Sequence, residues 1–430
     1  MHPGRFVWLG YCLNLAAPEH LDDLLGDLAA VSVPVRERLR YEGPFGVGLY
    51  LPAQLARTLA NDPAQCATLA GYLREEALVP FTFNAFPYGG FQTDGVKREV
   101  FRPTWADEAR LNYTLDVARV AAQVENALGG VRDGHVSIST HPGAFGAWLS
   151  DRSLLRRCAE GFGRAVGALA ALEGEGGPRT VLALEAEPRA SAGTSRALAE
   201  FLVFAREVAG RVLRTERGHD EATAARLIDR HLGTCLDACH AAVEFEAPAD
   251  ALRLAHFAGP LGKLQVSNAL ALVAPGAHPA SVATLLALDE PRYLHQTTAR
   301  VGDALLRVED LGELRALLDG PEAEGWLGAD EWRCHFHVPV DAAALEGGLT
   351  TTRATADELV RLVATDLAHW HANELHLEIE TYTWSVLPGG ARTGDERVAG
   401  IAREYEHVIG LLEHAGWDRD GSALEARATT

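Results

Sequence analysis

Cys235-Leu236-Asp237-Ala238-Cys239-His240 closes an apolar, strand-like run with an aspartate and, one turn further on, a histidine. Four other runs of the chain end in the same manner. His141-Pro142-Gly143 follows one, and Glu185-Ala186-Glu187 follows Val181-Leu182-Ala183-Leu184. Downstream stand Cys334-His335-Phe336-His337 and Leu377-Glu378-Ile379-Glu380-Thr381. Carboxylates and imidazoles are the ordinary protein ligands of divalent ions. Strand tips that carry them one after another imply a common mouth on which parallel strands converge.

The remainder of the sequence supplies such strands. Apolar runs at 6–13, 45–51, 79–86, 134–140, 180–186, 233–238, 262–268, 332–338 and 374–381, with an extra one at 293–298, alternate with helix-period segments. The segment 107–127 sets Leu111, Leu115, Ala118 and Ala122 on one face, the 3.6-residue signature of an amphipathic helix. Alternation of this kind predicts an α/β fold, a (β/α)8 TIM barrel of parallel strands and crossover helices. The surplus near 270–330 reads as an insertion ahead of the last two units, 332–338 and 374–381. One domain over 1–417 and a small, polar, disordered tail at 418–430 are expected.

Composition narrows the partners. The net charge is −20, and Lys97 and Lys263 are the only lysines, which disfavours nucleic acid because binding it rests on neutralising phosphates. No apolar run is long enough for a membrane span, and the N-terminus runs straight into strand-like Phe6-Val7-Trp8-Leu9 rather than a secretory leader. Six cysteines without a CxxC pair suit a reducing compartment, so a cytoplasmic location is expected.

Each tip has a physical reading. Pro142 holds His141 in an extended conformation and Gly143 lets the chain turn. Glu185 and Glu187 share a strand face, and Glu185 closes the apolar run, so it is the favoured ligand or base. Asp237 and His240 turn inward together, and His335 and His337, two apart, form a metal clip. Gln265 offers a neutral oxygen on the same face as Lys263, whose expected fate is a salt bridge at the barrel floor. Glu378 and Glu380 lie on one face, where burial calls for a metal or a partner. The remaining histidines His369, His371 and His376 fall on or near the last helix pattern and read as surface or packing residues. The long segment 84–105 is aromatic and basic and reads as a lid or substrate wall. Asn84, Tyr88, Lys97 and Arg102 of this segment, with Arg189 beside the mouth, are the candidate substrate contacts.

Together, His-Pro-Gly, Glu, Asp-x-x-His, His-x-His and Glu-Thr resemble the xylose isomerase-like barrel superfamily, whose members include sugar isomerases, epimerases and type IV endonucleases. Carried over by motif, the resemblance implies His141 and Glu185 on one metal. Glu185, Asp237, Gln265 and Glu380 would serve a second, and His240, His335 and His337 a third. Gln265 stands where the endonuclease branch has a His, His335 where it has an Asp, and Asn84-Ala85-Phe86-Pro87 where it has a His ligand. One or two ions, Zn2+ or Mn2+/Mg2+, are therefore expected rather than a full three-ion centre. Asn84-Ala85-Phe86-Pro87-Tyr88-Gly89, Cys334-His335-Phe336-His337-Val338-Pro339 and Glu380-Thr381-Tyr382-Thr383-Trp384 more closely resemble the EboE family of metabolite traffic proteins encoded in ebo clusters. That resemblance spans roughly residues 5–415 and implies a small-molecule metabolite, with partner proteins of the same pathway. The expected activity is a metal-dependent isomerase or epimerase of a small sugar, cyclitol or sugar-phosphate-like metabolite, with Glu185 and Glu380 as acid and base. A metallohydrolase of a small phosphoester and a non-catalytic metabolite carrier are the alternatives.

Overall fold

The computed structural model describes residues 5–90, 92, 94–129, 134–149, 152–366, 373–391 and 393–421. Strands β1 (Phe6–Tyr11), β2 (Phe45–Tyr50), β3 (Leu78–Asn84), β4 (Val136–Thr140), β5 (Thr180–Glu185), β6 (Leu232–Asp237) and β7 (Leu261–Val266) follow one another with helices between them. Six more strands then intervene: β8 (Asn268–Val273), β9 (Thr297–Val301), β10 (Ala304–Val308), β11 (Glu331–Val338), β12 (Ala344–Leu345) and β13 (Leu349–Thr351). β14 (Glu374–Ile379) finally enters between β1 and β7, and the parallel order runs β1-β14-β7-β6-β5-β4-β3-β2. A parallel bridge between Cys12 and Gly48, with the Leu13 N–H donating to the Gly48 carbonyl at 3.0 Å, closes the ring. This is the (β/α)8 barrel that the alternation predicts.

Every residue of β2, β4, β5, β6 and β7 is buried. Parallel strands are covered by side chains inside the barrel and by helices outside, which is why they read as unbroken apolar runs. The interior is tight near the closing seam. A Cβ on Gly48 would stand 2.0 Å from Glu378 Oε1, so only glycine fits there. Outside, the helix Ser195–Arg217 turns Leu198, Leu202, Ala205 and Leu213 to the core. Thr194 caps its start by accepting the Ala197 N–H at 3.0 Å.

The expected eighth barrel unit at 332–338 is corrected by the pairing. β11 is antiparallel to β8 and β9, and it belongs to a six-stranded sheet of order β10-β9-β11-β8-β13-β12. The insertion therefore spans 268–351 rather than 270–330. Glu331-Trp332-Arg333-Cys334-His335-Phe336-His337-Val338 alternates polar and apolar throughout. An antiparallel strand with one face on a core alternates so; β14 of the barrel (Glu374-Leu375-His376-Leu377-Glu378-Ile379) alternates too, so the pattern alone does not separate the two. The reason lies in its apolar face: Trp332, Cys334, Phe336 and Val338 fill a second core with Leu270, Leu272, Trp326 and Leu311.

Other expectations shift too. The strand expected at 293–298 is Thr297–Val301. His376 is not on a helix but in β14, buried at 1% exposure in the barrel floor, while His369 and His371 lie outside the described residues. The helices Pro248–Ala258 and Gly394–His414 were not anticipated. Of the tail, 418–421 is placed along β1, the Gly421 carbonyl accepting the Val7 N–H at 2.9 Å, and 422–430 lies outside the described residues. Among the described residues no helix is long and apolar enough to cross a membrane.

Candidate metal centre and its cavity

The C-terminal ends of the barrel strands bring Glu185 (end of β5), Asp237 (end of β6) and Glu380 (just past β14) to one place. Glu187 follows two residues beyond Glu185, and His240 sits one turn into the short helix Ala238–Val243 that Asp237 caps, Oδ1 accepting the His240 N–H at 2.7 Å. His335 and His337 arrive from outside the barrel. The regular pairing of β11 with β8 breaks between Cys334 and Val338, and the irregular segment places both rings over the mouth.

Hydrogen bonds assign the tautomers. His240 Nδ1 lies 3.0 Å from the Ala186 carbonyl, and His337 Nδ1 lies 3.1 Å from the Glu380 carbonyl. His335 Nδ1 lies 2.6 Å from Gln296 Oε1, an amide oriented by Nε2 donating to Glu187 Oε1 and to the Pro188 carbonyl. Carbonyl oxygens only accept, so His240 and His335 carry their proton on Nδ1, whereas His337 Nδ1 also meets the Ser267 hydroxyl, which can donate, at 2.9 Å. The Nε2 lone pairs of His240 and His335 then face each other at 3.1 Å, with His337 Nε2 2.8 Å from His335 Nε2 and Glu187 Oε2 3.1 Å from His240 Nε2. Lone pairs cannot satisfy one another. A cation is what such a set of donors fits.

The electrostatics agree. Burial pushes Glu185, Glu187 and Glu380 well above the ordinary carboxylate range, and neighbouring carboxylates push them further. Burial also raises Asp237. Burial lowers His240 to about 3 and His337 to about 4, and burial with the facing rings takes His335 well below its usual value. Among the described residues no lysine or arginine pairs with these carboxylates. Glu185 Oε2 and Asp237 Oδ2 are buried and have no hydrogen-bond partner. Four overlapping donor trios result, Glu187–His240–His335, Asp237–His240–His337, Cys239–His335–His337 and Glu185–Asp237–Glu380, each with its ligand atoms within 4.8 Å of one another.

The structure separates the other sequence candidates. His141 is not with the donors. Its ring packs on Phe86 and Phe101 at 5.2 and 5.6 Å, because the turn at Gly143 donates its N–H to Nδ1 and fixes the ring beneath the lid. Gln265 donates Nε2 to Glu380 and accepts the Cys235 thiol on Oε1 at 2.7 Å, so both ends of its amide are engaged. Asn84 lines the cavity and donates to Glu380 Oε1 at 3.1 Å. Lys97 lines it as well, its ammonium held by Asp289 and Asp310 at 3.4 and 2.6 Å. Tyr88 packs instead on Tyr113, Arg102 pairs with Glu99 at the surface, and Arg189 is bound to Glu244 and the Thr297 carbonyl. None of these three lines the cavity, since each finds a stronger partner behind it. Lys263 pairs with Glu378 as a fully buried salt bridge, the fate expected of it.

Sequence reasoning passed over Asn14, Gln296 and Tyr382 and preferred Glu185 to Glu187, yet all four line the cavity along with Glu185. Glu187 carried a signal, its shared face with Glu185. Gln296 carried none, since nothing in the sequence orients it toward His335. The cavity together with the solvent at its mouth spans about 610 Å3. Its roof is the segment 94–101 fastened to the insertion: the Gly95 N–H donates to the Pro291 carbonyl at 2.8 Å and the Lys97 N–H to Arg292 at 3.0 Å.

No family model matches the chain, and no curated protein matches it. Among solved structures the chain is similar to D-allulose 3-epimerase from Methylomonas sp. (15% identity, 61% of this chain and 73% of that one, TM-score 0.35). It is similar also to a xylose isomerase domain protein from Planctomyces limnophilus (12% identity, 62% and 76%, TM-score 0.36). A third is the IolI protein with a bound zinc atom (9% identity, 95% and 99%, TM-score 0.45). At such TM-scores these likenesses add nothing to the fold, which the strand order establishes by itself.

Proposed function

We propose that this mouth holds one or two divalent ions and that the protein is a metal-dependent isomerase or epimerase of a small sugar, cyclitol or related metabolite. One observation carries the reading: the imidazoles of His240, His335 and His337 turn their Nε2 atoms on one another beside Glu187, with Glu185, Asp237 and Glu380 continuing the donor set. Glu187, His240, His335 and His337 would hold one ion, and Glu185, Asp237 and Glu380 a second. A bound ion supplies Lewis-acid polarisation of the substrate's oxygens.

The chain's own groups would move the proton. Glu185 presents a carboxylate oxygen with no protein partner, and its raised affinity for protons suits a base that takes a proton from carbon and returns it. Glu380 is held by the amides of Asn14, Asn84 and Gln265, which orient it as the facing acid. The cations at the rim, Lys97 and Arg292, are paired with Asp289, Asp310 and Glu290, which favours a neutral substrate over a phosphorylated one. The motif likeness to EboE proteins supports a place in making or moving a metabolite.

The histidine-rich trio favours zinc and thereby a second reading, hydrolysis of a small phosphoester. Incubation of metal-loaded protein with aldoses, ketoses and inosose-type cyclitols in D2O separates the readings. Deuterium at the carbon beside the carbonyl, lost in Glu185→Gln, is the expected result. Cleavage of bis(p-nitrophenyl) phosphate without any exchange would replace the isomerase by the hydrolase, and binding without turnover would leave a carrier.

A further inference from the structure

The cavity has two unlike sides. The donor atoms all lie at the barrel tips and on β11. The opposite wall is apolar: Phe86, Val96, Val100, Phe101 and Leu294, edged by Tyr293. Phe86 and Phe101 meet edge to face at 5.3 Å, and half-buried Val100 and Leu294 pack against them. Two segments far apart in sequence therefore build one continuous greasy face, locked by the backbone bonds from Gly95 and Lys97 to the insertion.

Several polar side chains that line the cavity beyond the donor set are engaged by protein partners, while Tyr293 and Tyr382 also line it. Asn84 gives Nδ2 to Glu380 and accepts the Phe86 N–H on Oδ1 at 2.9 Å. Gln296 uses Nε2 on Glu187 and Pro188 and Oε1 on His335. Lys97 is held between two aspartates, and Arg292 Nε donates to Glu290 at 2.8 Å. Asn14 Oδ1 keeps an open acceptor, and it lies on the donor side, where its Nδ2 bonds Glu380 at 2.7 Å. A polyhydroxylated ligand filling this space would turn some hydroxyls to Phe86, Val100, Phe101 and Leu294, whose side chains offer no hydrogen bond, and those hydroxyls would lose their water partners.

We infer that the ligand of this mouth is amphiphilic: a compact oxygen-bearing head meets the donor set, and an apolar body of about ring size lies against the Phe86–Phe101–Leu294 wall. The inference rests on the reading of the mouth as a metal site and narrows its substrate class, from a free sugar or cyclitol to one that carries an aryl or aliphatic substituent.

The test uses two matched pairs of probes on the full chain. Acetohydroxamate and benzohydroxamate share a metal-chelating head and differ by the ring, and methyl and phenyl β-D-xylopyranoside differ likewise without needing a metal. Calorimetry on metal-loaded protein should give the phenyl member of each pair an affinity on the order of tenfold higher, the scale expected for burying one small apolar face. Leu294→Asn and Val100→Ser, both at half-buried positions, should each compress that ratio while leaving metal content and acetohydroxamate affinity unchanged. Equal affinities within both pairs, with metal bound, would overturn this inference and leave the metal reading standing. A phenyl preference in the xylosides from a protein that takes up no metal would overturn the metal reading and leave the apolar wall standing.

Discussion

The barrel buries two clusters of histidines and acids, and they differ in how their charges are met. In the floor and middle, Lys263 pairs with Glu378, and His135 donates Nε2 to the Gly262 carbonyl at 2.9 Å. His376 lies between Ser137 Oγ at 2.9 Å and Glu374 Oε2 at 3.3 Å. The rings of His135 and His376 stack 3.8 Å apart at 4°, so their in-plane lone pairs run side by side. At the mouth the rings are turned to one another, at 85° for His240 and His335, and the lone pairs converge. The same residue types thus make a packed, charge-balanced floor and a charge-unbalanced mouth. His135, Glu374 and His376 in the floor also bring ligand atoms within 4.8 Å of one another. What distinguishes the mouth is that its carboxylates, unlike Glu378, have no lysine or arginine paired with them among the described residues.

That contrast fails or sharpens under mutation. Removing one partner of the floor pair, as in Lys263→Met, should destabilise the protein by roughly 3–5 kcal/mol by stranding a buried charge, and Lys263→Met with Glu378→Leu should recover much of it. Urea denaturation reads both, and a single variant as stable as wild type would remove the floor's structural role. At the mouth, chelation should cost on the order of 4 kcal/mol where the free ion exceeds its dissociation constant about a thousandfold. Thermal unfolding with and without a chelator checks this, and an unchanged midpoint would count against ion binding.

Acid should act on the metal-free mouth with a defined sign. The folded pKa of His240 is lowered to about 3 by burial, so its contribution is present above the unfolded value and is lost as pH falls, because only the unfolded state takes up the proton. Between pH 7 and pH 5 metal-free wild type should lose about 2 kcal/mol relative to His240→Gln. Parallel pH profiles for the two would contradict it. Asp237→Asn keeps the cap on the His240 N–H yet relieves the crowding of carboxylates. It should stabilise metal-free protein by roughly 1 kcal/mol while weakening ion binding, the reverse of the floor variants. Smallest of all, Arg102→Ala should change stability by less than about 0.5 kcal/mol and leave ligand binding alone, since its pair with Glu99 is exposed.

Much of this was legible in the chain. Barrel strands such as β5 and β6 announced themselves as largely apolar runs with their donors at the ends, whereas β14 carries Glu374, His376 and Glu378 within it and was marked instead by its closing Glu380-Thr381. The role of β11 was misjudged because β14 shares its alternation, and the His-x-His pair was found for a reason that places it on the wrong sheet. The helix Gly394–His414 also carried its marks, a Thr393–Glu396 capping box and the spacing of Val398, Ile401, Tyr405 and Val408. His141, Gln265 and Arg189 could not be sorted from the sequence, since a side chain's direction depends on the partner it meets across the fold. The apolar roof was half legible, its Phe86 and Phe101 in plain view, but its closure by Leu294 required the insertion to fold back.

The most direct measurement is elemental analysis of protein purified without a metal-affinity tag, wild type beside His240→Gln. At least one divalent ion per chain in wild type, lost in the variant while the fold persists by circular dichroism, is the result predicted. Wild type that holds no ion even after reconstitution at neutral pH would contradict the metal centre, and the converging imidazoles would need another explanation.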